Sequence, residues 1–147
     1  MSEQPNESDQ YRVLVYSDDP KVREHMRLVI GDRPAADLQI EFVEAGTYDE
    51  VLRLLNDGDV DLIVLDGEAA PAGGLGIARQ VKDEVEFCPP TLVVIARAAD
   101  RWLAAYARAD ATLPRPLDPI HTAQTVAGLL RKWSTSLPVA GEIPATR

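Results

Sequence analysis

The chain has 147 residues, of which 46% are hydrophobic and 27% are charged. These proportions are typical of a single globular domain rather than of a disordered or fibrous chain. The formal net charge of -9 at pH 7 argues against direct binding to nucleic acid, because such binding depends on clustered lysine and arginine side chains.

The first third of the chain predicts a strand, a helix and a second strand. Residues 1–10 are polar and acidic without periodicity, and we predict a disordered tail there. A strand is predicted over residues 12–17. Asp19 and Pro20 then have the features of an N-cap and a first helical residue, and the helix is predicted to end at Gly31. A second strand over residues 38–44 alternates in polarity and is expected at a sheet edge.

The middle of the chain contains the clearest strand. Thr47 and Glu50 form a capping-box pattern at the start of a helix that ends near Gly58. The strand that follows, residues 60–65, is almost continuously apolar, as expected of a central strand covered on both faces. Asp66 comes directly after it.

The last third predicts two further strand and helix units. A strand is expected over residues 91–96, followed by a helix that contains Trp102 and Tyr106, and a short strand lies around residues 111–113. A final helix is predicted from Asp118 to about Ser134, with an apolar stripe that packs on the sheet. The stripe consists of Ile120, Ala123, Ala127 and Leu130.

Five strand and helix units in alternation predict an α/β fold with a parallel sheet. We predict one folded domain over residues 11–134, a flexible tail over residues 135–147, and no output domain after the last helix. Cys88 is the only cysteine, so an intrachain disulfide is excluded, and we interpret this residue as a small buried or half-buried side chain. Neither a signal peptide nor a membrane-spanning run is present, which predicts a cytoplasmic protein without membrane insertion.

Charged residues follow three of the predicted strands. Asp18 and Asp19 come after the first strand, Asp66 after the third and Arg115 after the fifth. In an open α/β sheet, ligands bind in the crevice beyond the carboxyl ends of the strands. Carboxylates held close together repel each other unless a cation lies between them, and oxygen ligands of this kind suit Mg²⁺. The pattern predicts a magnesium site, although Asp19 alone is explained by its role as an N-cap.

Four sequence segments resemble the receiver domain of bacterial two-component response regulators. They are VLVYSDDP, VDLIVLDGEAAPAGGLGIARQVK, TLVVIAR and ADATLPRPLDP, and the resemblance covers residues 12–134. It implies a flavodoxin-like, doubly wound sheet of five parallel strands in the order 2-1-3-4-5, with helices on both faces. It also implies a single-domain response regulator of a phosphorelay, which acts through protein contacts and is not an enzyme.

The resemblance implies a role for each matching residue. Asp66 is the position that accepts a phosphoryl group from a histidine kinase or a phosphotransfer protein. Asp18 and Asp66 are implied to bind Mg²⁺ together with the backbone carbonyl of Glu68. Gly74 matches the glycine eight residues after the phosphoacceptor, and Arg115 occupies the position of the usual lysine, before a proline whose peptide bond is typically cis.

Several positions depart from the family pattern at the residues that sense the phosphoryl group. Ser17 replaces the first residue of an acidic pair, which predicts weaker Mg²⁺ binding. Ala96 replaces a serine or threonine and removes a hydrogen bond, and Thr112 stands where an aromatic switch residue is usual. Arg97 replaces a small residue and is predicted to cover the pocket. Arg115 is larger than lysine, and a guanidinium is predicted to clamp the carboxylate of the phosphoacceptor.

Other residues leave alternatives open. Pro71 falls one residue later than in the family pattern. His25 and His121 have no second ligand at metal spacing and are interpreted as surface or packing residues. Trp102 and Tyr106 either mark a partner-binding face formed by the last two helices and the last strand, or contribute at least one side chain to the core.

Three functions follow from these observations. The first is a phosphorylation switch at Asp66, and the second is a degenerate receiver that acts as a phosphorylation-independent docking module. The third is an enzyme, because Asp66, Gly67 and Glu68 are loosely similar to the Asp-x-Asp of aspartyl-phosphate phosphatases, although the other residues of such enzymes are not found. The protein target is unknown, and a weak homodimer is a further expectation.

Overall fold

The computed structural model describes residues 9–69, 73–103 and 107–136. Five strands in these ranges form one parallel sheet in the order β2-β1-β3-β4-β5. This order and the parallel pairing confirm the predicted fold. The strands are β1 (Asp9–Tyr16), β2 (Leu38–Ala45), β3 (Leu62–Asp66), β4 (Thr91–Ile95) and β5 (Ala111–Pro114).

The helices cover both faces of the sheet. They are α1 (Pro20–Ile30), α2 (Tyr48–Asn56), α3 (Gly74–Glu84), a 3₁₀ helix (Ala98–Trp102) and α4 (Pro119–Ser136). Alternate residues of a strand point to opposite faces, so Val13 packs with α1 and α4 while Leu14 packs with α2 and α3. The central strands β3 and β4 are buried along their whole length, as their continuous apolar character predicts.

Both predicted helix caps are present. The carboxylate of Asp19 accepts a hydrogen bond from the backbone N–H of Lys21 at 2.9 Å, and Pro20 is the first residue of α1. The Thr47 hydroxyl accepts from the N–H of Glu50 at 3.1 Å. The first cap lets α1 begin immediately after β1, so residues 17 and 18 stay at the end of the strand.

Several element boundaries differ from the prediction, most clearly those of β1, β3 and α4. Strand β1 begins at Asp9, and Asp9 and Gln10, which the sequence assigns to the tail, pair with Leu38 and Gln39 of β2. Backbone hydrogen bonds to the edge strand extend β1 regardless of side-chain polarity. Strand β3 begins at Leu62 and includes Asp66, and α4 continues to Ser136.

The apolar stripe predicted for the last helix is partly wrong. Ile120 is 70% exposed because it lies in the first turn of α4, away from the face that meets the sheet. The buried face of the helix consists of Thr122, Val126, Ala127 and Leu130.

The structure also gives the exposure of the histidines, the cysteine and Trp102. His25 and His121 are exposed, as predicted. Cys88 is partly buried, and this burial raises the pKa of its thiol. Trp102 is 71% exposed, so its side chain is not part of the core, and Tyr106 lies outside the described residues. Within the part of the chain that the structure describes, no helix is both long and apolar enough to cross a membrane.

Candidate functional site

The carboxyl ends of the strands bring three predicted site residues together. Ser17 follows β1, Asp66 ends β3 and Arg115 follows β5. Strands β1 and β3 are neighbours, whereas β4 lies between β3 and β5. The backbone N–H of Arg115 donates to the carbonyl of Ile95 at 2.9 Å, which fixes the arginine at the sheet edge. Its long side chain then spans the width of β4 to reach Asp66.

The carboxylate of Asp66 is enclosed by hydrogen-bond donors. The residue is only 4% exposed. Its Oδ1 accepts from the backbone N–H of Glu68 at 2.9 Å and from Nη2 of Arg115 at 2.5 Å. Its Oδ2 accepts from the Ser17 hydroxyl at 2.8 Å. Both oxygens are therefore occupied, and one of the three donors is a cation.

Ser17 is positioned to donate rather than accept. It is fully buried, and its hydroxyl oxygen accepts a hydrogen bond from the backbone N–H of Asp19 at 3.1 Å. With that acceptor role filled, the hydroxyl proton is directed at Asp66. The carbonyl of Ser17 accepts from Nη1 of Arg23 at 2.6 Å. The residue that departs from the family's acidic pair thus makes a direct contact with Asp66.

Arg23 belongs to this site, and the sequence reasoning missed it. Its Nε donates to Glu44 at 2.8 Å while Nη1 holds the carbonyl of Ser17. The same guanidinium therefore joins the end of β1 to β2. Only a weak sequence pattern points to this role of Arg23. The residue lies in the first turn of α1, and its partner Glu44 is a polar residue near the end of an edge strand.

The guanidinium of Arg115 forms the predicted clamp on Asp66. Its side chain is 35% exposed, so the contact lies at the rim of the site rather than deep in the core. Its Nε is buried without a hydrogen-bond partner among the described residues. The Arg115–Pro116 peptide bond is cis, as the resemblance implies.

The negative charges of Asp18 and Asp66 both act on the hydroxyl of Tyr16. Burial raises the pKa of Tyr16, and the charges of Asp18 and Asp66 raise this pKa further. Asp18 itself is exposed. No group of three or more His, Cys, Asp or Glu residues has a metal-binding arrangement in the described ranges. Two carboxylates and a backbone carbonyl nevertheless suit Mg²⁺, which retains several waters.

Of the positions that depart from the family pattern, Ser17 and Arg115 donate to Asp66, whereas Ala96, Thr112 and Arg97 have other surroundings. Ala96 follows β4 and is partly exposed, and Thr112 is partly buried within β5. Arg97 is 74% exposed and pairs with Asp100 at 3.1 Å. The ion-pair partner of Arg97 lies on the 3₁₀ helix; the hydrogen bond to Asp100 raises the pKa of Arg97, and the charge of Glu68 also raises it. That Arg97 covers the pocket stays a prediction. Pro71 is outside the described residues.

Two glycines allow the chain to pack closely around Asp66. A Cβ atom at Gly74 lies 2.6 Å from the backbone oxygen of Asp66, and one at Gly67 lies 2.7 Å from the backbone oxygen of Val94. Both distances are too short for any side chain. The start of α3 therefore packs directly against Asp66, and this close packing requires a glycine at position 74.

Comparison with known proteins identifies the class to which this site and fold belong. The chain is 47% identical over 128 residues to response regulatory proteins from two strains of Mycobacterium tuberculosis, CDC 1551 / Oshkosh and H37Rv. The matches cover 86% of this chain and 96% of each relative. No family model matches the sequence.

Solved structures agree with this assignment. A response regulator receiver domain protein from Clostridium thermocellum has a TM-score of 0.71 at 15% identity, covering 86% of this chain and 99% of that one. The response regulator TrrA from Thermotoga maritima, in complex with Mg²⁺ and BeF, has a TM-score of 0.67 at 23% identity, covering 81% and 98%. The chain belongs to the response regulator family and has the receiver-domain fold.

Proposed function

We propose that this protein is a phosphorelay receiver in which Asp66 accepts a phosphoryl group and the resulting change is passed on by protein contacts. The supporting observation is the contact between the Asp66 carboxylate and the Arg115 guanidinium at 2.5 Å. At the carboxyl end of the central strand β3, the buried carboxylate provides a nucleophile, and the neighbouring cation provides a charge that stabilises the transferred group.

Phosphoryl transfer requires the enclosing donors to change partners. A carboxylate oxygen of Asp66 forms the new P–O bond while the bond from phosphorus to the donor, the imidazole nitrogen of a phosphohistidine, breaks. Arg115 and Ser17 then release the carboxylate, and their N–H and O–H groups pair with phosphoryl oxygens instead. Asp18, Asp66 and the Glu68 carbonyl would hold Mg²⁺, which would supply neutralising charge. The Thermotoga relative in complex with Mg²⁺ and BeF supports this metal.

The direct test is phosphorylation of the purified protein with acetyl phosphate and Mg²⁺, followed by intact mass spectrometry. We expect one phosphoryl adduct, which is absent from Asp66→Asn. Asp61→Asn is the matched control, because Asp61 is a partly buried aspartate just before the strand that ends at Asp66. An unmodified wild-type protein, under conditions that modify a reference receiver, would refute the proposal.

The proposed partners follow from the same assignment. They are a histidine kinase or a phosphotransfer protein as phosphodonor, and an unidentified protein as target. We propose a cytoplasmic location, no turnover of a free substrate, and at most weak association between copies of the chain. The net charge of -9 favours target proteins with basic surfaces.

A second function is favoured by the enclosure of Asp66. Both carboxylate oxygens already have donors, and Ala96 lacks the hydroxyl that completes the family's switch. A receiver fixed in one state serves as a docking module whose binding does not depend on phosphate. In that case Asp66→Ala retains target binding in pull-down assays and in cells. Loss of cellular activity in this variant, with an unchanged thermal midpoint, excludes the docking function.

A further inference from the structure

A groove lies beside the Asp66 site and shares Arg115 with it. Its volume is about 500 Å³, within the range of small-molecule sites. It opens between the first two turns of α1 and the loop that joins β5 to α4. The lining residues are Lys21, Val22, His25, Met26, Val94, Arg115, Pro116 and Leu117.

The lining separates into an apolar floor and a basic rim. Met26 and Val94 are almost completely buried and form the floor with the other apolar residues. Lys21 and His25 are exposed at the rim, one helical turn apart on α1. No acidic residue lines the groove in the part of the chain that the structure describes. On a protein of net charge -9, this concentration of basic side chains favours a negatively charged ligand.

Arg115 connects the groove to the phosphoacceptor. Its guanidinium lines the groove while Nη2 donates to Asp66, and its buried Nε has no partner among the described residues. An anionic group in the groove competes with Asp66 for this one cation. A ligand there therefore weakens the clamp, and by thermodynamic linkage a weaker clamp strengthens ligand binding.

We infer that the groove binds an amphipathic organic anion, that is, an apolar body with one carboxylate, sulfonate or phosphate group. The apolar body covers Met26, Val94 and Leu117, and the anionic group lies at the rim between Lys21 and Arg115. Binding itself does not depend on phosphorylation of Asp66. Only its regulatory consequence, a more accessible Asp66, rests on the proposed function.

The test uses two probes that differ in their anionic group. 8-Anilinonaphthalene-1-sulfonate has an aromatic body and a sulfonate, whereas N-phenyl-1-naphthylamine has the same body without charge. Binding to the folded protein is measured by fluorescence and calorimetry. We expect one saturable site for the sulfonate, with at least about fivefold weaker binding of the neutral compound. Equal affinities, or no saturable binding, would overturn the inference.

Variants locate the site and test the linkage. Arg115→Gln is expected to reduce sulfonate affinity about fivefold, and Lys21→Gln about twofold. Arg53→Gln removes the same charge from α2, on the opposite face of the sheet, and is expected to have no effect. Asp66→Asn frees Arg115 from a charged partner and is expected to increase affinity about threefold. Unchanged affinity in both Arg115→Gln and Lys21→Gln would overturn the inference.

The outcomes separate this inference from the proposed function. Asp66→Asn takes no phosphoryl group but is expected to bind the sulfonate more tightly, so a protein that fails phosphorylation can still pass this test. If neither probe binds while Lys21→Gln lowers the rate of phosphoryl transfer from a histidine kinase, the groove is a docking site for a protein helix. That result also overturns the small-molecule inference.

Discussion

Two aspartates at the opposite ends of β3 have different surroundings. Asp61, just before the strand, accepts from the backbone N–H of Arg12 at 2.9 Å and from the indole Nε1 of Trp133 at 3.2 Å. Both donors are neutral, and the Arg12 guanidinium pairs with Glu41 instead. Asp66, at the other end, accepts from a guanidinium, a hydroxyl and a backbone N–H.

The difference separates an aspartate with only neutral donors from one that also has a cationic donor. Burial raises the pKa of Asp61, and its hydrogen bonds join α4 to the amino ends of β1 and β3. Asp66 instead has side-chain donors that can transfer to another anion without breaking the sheet. This difference supports the proposal that Asp66, and not Asp61, is the phosphoacceptor.

The largest effect is expected at the glycine that packs on Asp66. A Cβ at Gly74 lies 2.6 Å from the Asp66 backbone oxygen, whereas a Cβ at Gly76 meets nothing within 4 Å. Gly74→Ala is expected to lower the free energy of unfolding by about 3 kcal/mol. Gly76→Ala in the same helix is expected to raise it by about 0.5 kcal/mol. Urea denaturation measures both, and similar values would contradict the close packing at Asp66.

A smaller loss of stability is expected at the amino end of β3. Asp61→Ala leaves the Arg12 N–H and the Trp133 indole without their acceptor, which is expected to cost about 1 to 2 kcal/mol. Phosphorylation of this variant is expected to be normal. Asp66→Asn is expected to abolish phosphorylation whatever its effect on stability. Loss of phosphorylation in Asp61→Ala as well would remove the distinction between the two ends.

The contact with Arg115 predicts that the clamp limits the rate of phosphorylation. A lysine keeps the charge but lacks the planar fork of donors. Arg115→Lys is therefore expected to increase the rate of labelling by acetyl phosphate roughly fivefold, equivalent to about 1 kcal/mol. Arg131→Lys is the matched control, since Arg131 pairs with the surface residue Asp37. A slower reaction in Arg115→Lys would show that the guanidinium assists transfer.

The smallest effect is expected in the pH dependence of stability. The pKa of Asp61 is raised in the folded protein, so its contribution to stability is present below about pH 4 and is lost as pH rises through the raised pKa. Asp61→Asn removes this loss, and its stability relative to wild type is expected to rise from about pH 4 upward.

Asp37 provides the opposite case. Its hydrogen bond to Arg131 lowers the pKa of Asp37, so the contribution of this residue is present above the pKa of the unfolded chain and is lost on acidification. Asp37→Asn is expected to lose stability relative to wild type as pH rises through that range. Thermal midpoints measured between pH 3 and 7 test both signs, and parallel profiles for the two variants would contradict them.

Much of the fold was predictable because its signals are local. The apolar runs predict the central strands, and the caps at Asp19 and Thr47 predict where α1 and α2 begin. Ile120 was misassigned because helical periodicity does not show where the helix extends past the sheet. The start of β1 at Asp9 was missed because an edge strand recruits polar residues through backbone hydrogen bonds.

The positions of Asp18, Asp66 and Arg115 in the sequence were sufficient to predict a single site, since the carboxyl ends of parallel strands meet at one edge of the sheet. The predicted clamp between Arg115 and Asp66 is confirmed by their contact. Other contacts depend on side-chain directions: Ser17 donates to Asp66, Arg23 holds Ser17, and Arg97 pairs with Asp100. Sequence periodicity predicts which face of a helix or strand is buried and where a strand ends. The partners of these side chains depend instead on distances between elements that are remote in the sequence and meet only in the folded chain.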